Sequence, residues 1–175
     1  MGALGLLRPD ARVELIEGEV VDMAPIGPDH VGTVNYLNAV LASRLAGRAI
    51  VQVQGPVRLS DFTEPEPDVL VLLPRDDYYR SRHAEPGDVV LAIEVAKTSL
   101  RYDRNVKLPL FARAGISETW VVDLGGDAIV VATGPRSWGY EHVRVARRGD
   151  SLEVLGVEVD VELVLGDEVD DPTVA

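Results

Sequence analysis

The sequence predicts a mixed α/β domain in which a central sheet is flanked by helices, with an extra N-terminal hairpin and further C-terminal strands. Three observations predict this class. The elements run in the order hairpin, helix, strands, helix, strands, without regular alternation of strand and helix. Residues 67–73, 89–95 and 119–123 are continuously apolar, which is typical of central strands covered on both faces. A chain of 175 residues, 46% of them hydrophobic, supports one core, so we expect a single domain over residues 1–175 with its core at about 12–165.

The N-terminal part of the chain predicts a hairpin, a helix and two short strands. Apolar and acidic residues alternate over residues 12–23 on both sides of Glu17-Gly18, which is typical of a hairpin with a tight turn. Apolar residues then recur at spacings of three and four over residues 31–45, so we expect an amphipathic helix there. Asp29 is a candidate cap for this helix, and Gly47 is its expected end. The two short strands are expected at residues 50–54 and 57–60.

The C-terminal part predicts a second helix followed only by strands. A polar loop at residues 74–88 separates two of the apolar strands, and the helix is expected around residues 103–114. Pro109 lies inside this helix, so we expect a kink or a late start, because proline lacks the backbone N–H and clashes with the preceding turn. Gly115 is its expected end. Strands are predicted at residues 118–124, 127–132, 139–146, 150–155 and 157–165, and an acidic tail at residues 167–175.

Two of the apolar strands carry one carboxylate each, Asp68 in the first and Glu94 in the second. A carboxylate in a buried strand is costly unless it is paired or binds a metal. If Asp68 begins its strand and Glu94 ends a neighbouring one, antiparallel or offset pairing places both at one edge of the sheet. Magnesium takes oxygen ligands and keeps several waters, so these side chains and the Val95 backbone carbonyl suffice as ligands. The metal would activate a bound water, and the ammonium of Lys107 would offset developing charge.

Ordinary structural roles are open for the same side chains. Asp68 would then only satisfy backbone donors where its strand begins. Glu94 would form a buried pair with a cation of the following helix. Lys107 would form an exposed helix pair with Asp103, four residues earlier. Asp123 either approaches the site or only begins a turn.

The charge distribution restricts the kind of partner. The net charge of −12 argues against a generic nucleic-acid binder, because phosphate contacts need cations. Residues 75–113 nevertheless hold eight basic and six acidic residues, so positive charge collects around the suspected site. A polyanionic substrate would need its positive charge in that place.

Other chemistries are excluded or unsupported. The chain has no cysteine, so disulfides, thiolate metal sites and cysteine nucleophiles are excluded. It has no glycine-rich phosphate loop and no serine in a nucleophile elbow, and its histidines, His30, His83 and His142, are too widely spaced for a zinc motif. No apolar run has the length of a membrane span, and no secretory signal pattern begins the chain, so we expect a cytoplasmic protein.

Several short motifs, taken in order, resemble a known family. They are Pro67-Asp68, Ile93-Glu94-Val95, Ser99, Asp103, Lys107, Gly115 and the run from Glu118 to Asp123, together with the N-terminal run from Glu14 to Val21 and the stretch from Pro25 to His30. In this order and spacing they resemble the bacterial Uma-type family of restriction-endonuclease-like proteins, within the PD-(D/E)xK nuclease superfamily. The resemblance covers about residues 12–165. It implies a restriction-endonuclease-like fold and a metal-dependent nuclease site with Asp68 and Glu94 as ligands.

The position of the lysine departs from the superfamily pattern. There the lysine stands two residues after the acid, but that position is Ala96 here. Lys97 follows, and if the strand continues to this residue, alternation points its side chain to the opposite face. The resemblance implies that the lysine has moved to the following helix, so we favour Lys107 and keep Lys97 as the alternative. It also places a histidine at His30, as a metal ligand or a group that helps to activate water, and Glu17 is a further candidate at the rim of the site.

We therefore expect a magnesium- or manganese-dependent phosphodiesterase of nuclease type, with DNA as the substrate that the resemblance implies. One alternative is an inactive descendant of this fold that binds nucleic acid or a protein partner. Another is a metal-dependent hydrolase of a small phosphoester, which suits the negative charge better. A homodimer is compatible with the first reading, because duplex cleavage needs two sites or one site used twice.

Overall fold

The computed structural model describes residues 12–23 and 25–166, so the acidic tail predicted at residues 167–175 lies outside the described residues. The strands are β1 (Val13–Ile16), β2 (Glu19–Asp22), β3 (Ile50–Val53), β4 (Val69–Leu72), β5 (Val89–Ala96), β6 (Glu118–Asp123), β7 (Ala128–Arg136), β8 (Gly139–Ala146), β9 (Ser151–Val154) and β10 (Val157–Asp160). The helices are α1 (Pro28–Arg44), α2 (Leu100–Tyr102), α3 (Leu108–Ala114) and α4 (Val161–Leu165), with a 3-10 turn at Pro86–Asp88 and a π-helical turn at Asp103–Lys107. None of these helices has the length and apolar character needed to cross a lipid bilayer.

A six-stranded mixed sheet forms the centre of the fold, in the order β3-β4-β5-β6-β7-β8. Neighbouring strands are antiparallel except for the parallel pair β5 and β6. The three continuously apolar segments become β4, β5 and β6, which lie inside the sheet with nearly all their side chains buried. The predicted mixed sheet with central apolar strands is therefore confirmed.

Each face of the sheet packs against its own hydrophobic layer. On one face, α1 and α4 pack with the β9–β10 hairpin over alternate residues of the central strands, including Trp120. On the other face, α3 packs over the residues in between, with Phe111 fully buried. Charged side chains interrupt the apolar layer on the α3 face at two places, in β5 and directly before β4.

Helix α1 begins differently from its sequence prediction. Gly27 is the residue that precedes the first turn, and Pro28 occupies that turn, where its missing N–H costs no helical bond. Asp29 lies one residue further on and pairs with Lys97, so its prediction as the cap is wrong. The helix ends at Arg44, with Leu45 as its capping residue, before Gly47, whose φ of 75° is in the left-handed region that favours glycine.

The second predicted helix is divided by its proline. Helix α3 begins at Leu108, so that Pro109 lies in its first turn. Pro109 has no N–H to donate, and its ring would clash with the preceding turn of a regular α-helix. The chain instead widens into a π-helical turn, in which the Leu108 N–H bonds to the Asp103 carbonyl. The late start predicted from Pro109 is confirmed, and it sets the position of Lys107 at the last residue of the π turn.

Two strand predictions are wrong in part. Residues 57–60 form only isolated bridges, from Val57 to Ala84 and from Ser60 to Thr63. The strand predicted at residues 157–165 ends at Asp160, whose carboxylate accepts from the N–H groups of Glu162 and Leu163 and so starts helix α4. The predicted N-terminal hairpin is confirmed, with its turn at Glu17 and Gly18.

Candidate active site

Asp68 directly precedes β4, and Glu94 lies in the neighbouring antiparallel strand β5. The register pairs Val69 with Ile93, so one step further the chain sets Asp68 opposite Glu94. Directly opposed residues project to the same face of a sheet. Both carboxylates therefore interrupt the apolar layer on the α3 face, and both are buried, with 6% and 3% of their surface exposed.

Asp68 is held by one histidine and one backbone amide. Its Oδ2 lies 3.0 Å from His30 Nε2 and 2.8 Å from the Val95 nitrogen, which donates to it. A carboxylate only accepts, so Nε2 is the protonated nitrogen of the His30 ring. His30 is itself buried in the first turns of α1. Asp68 thus fulfils the structural role of accepting a backbone bond, and it is also oriented by a side chain from another element.

Lys107 reaches the same place from the π turn and lies between two acids. Its Nζ is 3.1 Å from Glu94 Oε1 and 2.9 Å from Oε1 of Glu14, which belongs to β1. All three side chains are almost completely buried. The exposed pair between Lys107 and Asp103 does not form, and Asp103 instead accepts a hydrogen bond of 2.6 Å from Ser99 Oγ.

The electrostatics of these groups follow from burial and crowding. Burial raises the pKa of Glu94 well above its ordinary value; Lys107 opposes the shift, and the neighbouring acid Asp68 adds to it. Burial alone would lower the pKa of Lys107, but Glu94 and Glu14 together raise it above its ordinary value. Lys107 is therefore a permanent cation, whereas Glu94 is a carboxylate that gains from a further positive charge.

Asp103 and Glu66 extend the acidic character of the site. Burial raises the pKa of Asp103, although its bond from Ser99 and the charge of Lys107 act in the opposite direction. Burial likewise raises the pKa of Glu66, and the charge of Glu14 adds to the effect. Acids thus outnumber the buried cation in this part of the molecule, which favours the binding of an additional cation.

A cavity of about 290 Å³ opens onto these groups. Its lining includes the four residues Asp68, Glu94, Lys107 and Glu14, with His30 and Tyr102 beside them. Within the described part of the chain, three buried side-chain atoms have no hydrogen-bond partner, namely His30 Nδ1, Glu94 Oε1 and the Tyr102 hydroxyl. The ammonium of Lys107 is near Glu94 Oε1 but without hydrogen-bond geometry. All three residues line this one cavity, so the unsatisfied bonding capacity of the core is concentrated there.

The donor set has the chemistry that a hard divalent cation requires. Two carboxylates from facing strands offer oxygen, and one of them has a buried oxygen without a hydrogen bond. Over residues 12–23 and 25–166, no group of three or more His, Asp or Glu side chains is arranged to enclose a metal. Magnesium and manganese do not need such an enclosure, because they commonly bind through one or two carboxylates and retain waters. The chemistry of Asp68 and Glu94 therefore fits a hard divalent cation.

The other predicted candidates lie further from the carboxylates. Lys97 is at the rim of the cavity, mostly exposed, and pairs with Asp29 on α1. Glu17 does not line the cavity and lies 2.9 Å from Arg113, on the surface. Asp123 accepts a 2.8 Å bond from the Gly126 N–H and so stabilises a turn.

Glu14 and Tyr102 belong to the site but were not predicted as site residues. In β1, Glu14 and Ile16 are buried, whereas Val13 and Leu15 are only partly buried. Because side chains alternate between the two faces of a strand, Glu14 lies on the same face as Ile16. A carboxylate on the buried face of a strand is a signal that can be read from the sequence. Tyr102 gave no such signal, since its place depends on how the π turn orients the preceding residues.

Comparisons with known proteins agree with this architecture. The family model Uma2, described as "Putative restriction endonuclease", matches residues 3–166. A crystal structure of a "putative nuclease" assigned to DUF820, from Anabaena variabilis, superimposes with a TM-score of 0.67 at 14% sequence identity, covering 93% of this chain and 94% of that one. At this identity the likeness concerns the fold. No curated protein matches the chain.

Proposed function

The chain belongs to the Uma2 family of restriction-endonuclease-like proteins, and we propose that it hydrolyses phosphodiester bonds with the help of magnesium or manganese held by Asp68 and Glu94. The observation that carries the proposal is the pair of opposed, buried carboxylates beside a buried lysine. The charge of Asp68 disfavours the charged form of Glu94, whereas a divalent cation between the two carboxylates would relieve their repulsion. The fold of the Anabaena protein supports the same class of activity.

Each residue of the site has a distinct task in this proposal. A bound metal would polarise a phosphoryl oxygen and lower the pKa of a bound water. His30 and the Val95 N–H fix the orientation of Asp68 by binding its Oδ2. Lys107 keeps its proton and supplies a fixed positive charge near the phosphoryl oxygens, where negative charge develops during hydrolysis. It is therefore a stabilising cation and not the general base.

DNA is the substrate that we propose first, on the strength of the family description. The experiment incubates the protein with plasmid DNA and with labelled oligonucleotides in the presence of magnesium, manganese or a chelator. We expect metal-dependent cleavage that is lost in the isosteric variant Glu94→Gln. Lys97→Met is the matched control for Lys107→Met, because Lys97 is at the rim and pairs away from the carboxylates. Equal cleavage by wild type and Glu94→Gln would reject the proposed site.

A small phosphoester is the second candidate, favoured by the charge of the protein. A net charge of −12 opposes a long polyanion, and the cavity of about 290 Å³ is at the lower limit of ordinary ligand pockets. Dependence on salt distinguishes the two substrates. Binding to DNA through several phosphates weakens steeply as salt increases, with a slope that counts the contacts, whereas a single phosphoester gives a shallow dependence.

A further inference from the structure

We propose that Glu14 is a positioning residue that holds the Lys107 ammonium against Glu94, so that the N-terminal hairpin is a working part of the site. This inference rests on the proposed function, which it deepens by assigning a role to a residue outside the predicted set. It is carried by the contacts of Glu14, by the attachment of the hairpin and by the charges around Lys107.

Glu14 has two partners, the Lys107 ammonium and the backbone N–H of Glu66. Its Oε1 lies 2.9 Å from Lys107 Nζ and accepts a 2.8 Å hydrogen bond from the Glu66 N–H. Only 3% of Glu14 and 5% of Lys107 is exposed, so water does not compete effectively for the pair. The Glu66 bond fixes the carboxylate itself, because a backbone donor cannot rotate away. Glu14 is thus a rigid partner for the flexible side chain of Lys107.

The hairpin that carries Glu14 is attached to the segment that leads into β4. Leu15 and Glu64 exchange backbone bonds of 3.4 and 2.7 Å, and the Gly18 N–H donates to the Phe62 carbonyl at 2.7 Å. This segment continues directly to Asp68. The geometry therefore connects Glu14 to the same stretch of chain that positions the first carboxylate of the site.

The charges explain why a second acid is required. Lys107 contacts both Glu94 and Glu14. A divalent cation held by Glu94 would share the charge of that carboxylate and would repel the ammonium. Glu14 then remains as the buried counter-charge that keeps Lys107 near the phosphoryl group. Without Glu14, the Lys107 side chain would adopt several rotamers, because no fixed partner would hold its ammonium in place.

The first test is a double-mutant cycle of Glu14→Gln and Lys107→Met, measured by urea unfolding in the presence of a chelator. Glutamine is isosteric and keeps an acceptor for the Glu66 N–H, so we expect Glu14→Gln to fold. We expect the two substitutions to be coupled by about tenfold in the unfolding equilibrium constant, because each removes the other's partner. Glu19→Gln, on the exposed side of the same hairpin, is the matched control and should show no coupling. Additive effects for Glu14 and Lys107 would overturn the contact.

The second test uses the wild type, the two single variants and the double variant. It measures the steady-state kinetics of oligonucleotide hydrolysis and, by calorimetry, the affinity for manganese. We expect Glu14→Gln to lower kcat by about 10- to 100-fold while KM and manganese affinity change by less than about threefold. In the Lys107→Met background, Glu14→Gln should cause no further loss. A full additional loss there, or a collapse of manganese affinity in Glu14→Gln alone, would overturn the positioning role. Absence of hydrolysis by the wild type would reject the proposed function, and the unfolding cycle would still decide whether Glu14 holds Lys107.

Discussion

Asp68, directly before β4, and Glu94, in the neighbouring antiparallel strand β5, lie one residue beyond the register pair of Val69 with Ile93 and line the same cavity. This relationship places two acids side by side in an otherwise apolar layer, where a bare pair of charges would be strongly unfavourable. The protein compensates on one side with Lys107 and on the other with His30 and a backbone N–H. Glu94 Oε1 has no hydrogen bond, although the Lys107 ammonium is 3.1 Å away, and the proposed metal would be a further positive partner for it.

Asp68→Asn should abolish metal-dependent phosphodiester hydrolysis. The amide keeps the shape of the side chain but removes one of the two charges that attract the cation. We expect a loss of at least about 100-fold in kcat/KM, with a circular dichroism spectrum like that of the wild type. Asp123→Asn is the matched control, because Asp123 stabilises a turn outside the cavity. Comparable activity in Asp68→Asn and Asp123→Asn would show that Asp68 is only structural.

Lys107→Met should reduce both activity and stability. The substitution leaves Glu14 and Glu94 buried without their cation, and breaking such a pair costs about 3 kcal/mol or more. The free energy of unfolding from urea titrations measures this loss. Lys97→Met should change stability by less than about 0.5 kcal/mol, because its partner Asp29 is at the surface. A larger loss of hydrolysis in Lys97→Met than in Lys107→Met would identify Lys97 as the lysine that serves the site.

The stability of the metal-free protein should fall as the pH rises above about 4.5. Glu94 has a pKa of 4.5 in the unfolded chain and a higher one in the folded protein, so above 4.5 the unfolded state loses its proton first and is favoured. The raised pKa values of Asp103 and Glu66 act with the same sign. Glu94→Gln removes the contribution of Glu94, so the stability of this variant should decline less steeply between pH 4.5 and 8.

Urea unfolding at several pH values, in the presence of a chelator, measures this slope. Carboxylates with lowered pKa values, such as Asp29 and Asp88, lose their contribution only below pH 3.8 and do not disturb the window. An equal or steeper decline of stability in Glu94→Gln would mean that folding does not raise the pKa of Glu94.

His30→Ala should weaken metal binding without abolishing it. His30 does not need to contact the metal, because its Nε2 is committed to Asp68. Loss of a partner that orients a ligand typically costs about 10- to 100-fold in metal affinity. Manganese calorimetry on His30→Ala and on the rim variant Lys97→Ala tests this point. An unchanged affinity in His30→Ala would reduce the histidine to a packing role.

The sequence was sufficient for the elements whose signal is local. Continuous apolar runs predicted the central strands. Strand alternation did not decide the place of Lys97, because β5 ends at Ala96 and Lys97 lines the same cavity as Glu94. The proline at position 109 predicted the late start of α3, because the missing N–H is a property of that residue alone. Helix α4, which follows β10, was missed, because the mostly apolar residues 161–165 suit a strand as well as a short helix, and the cap at Asp160 decides for the helix.

The site was harder to predict where it depends on contacts between distant segments. Asp68, Glu94 and Lys107 were suggested by burial and resemblance, and the structure brings them together. The role of Glu14 depends on how the hairpin packs against residues 64–66, and nothing local in the sequence determines that packing. The pair of His30 with Asp68 likewise joins residues 38 positions apart. Such long-range contacts are decided by the tertiary fold as a whole.

Calorimetric titration of manganese into wild type and Glu94→Gln tests the central claim most directly. We predict one manganese ion bound per chain in the wild type and no measurable binding in the variant, with both proteins folded. Wild-type protein that does not bind the ion, or Glu94→Gln that binds it as well as the wild type does, would contradict a metal site built on Asp68 and Glu94.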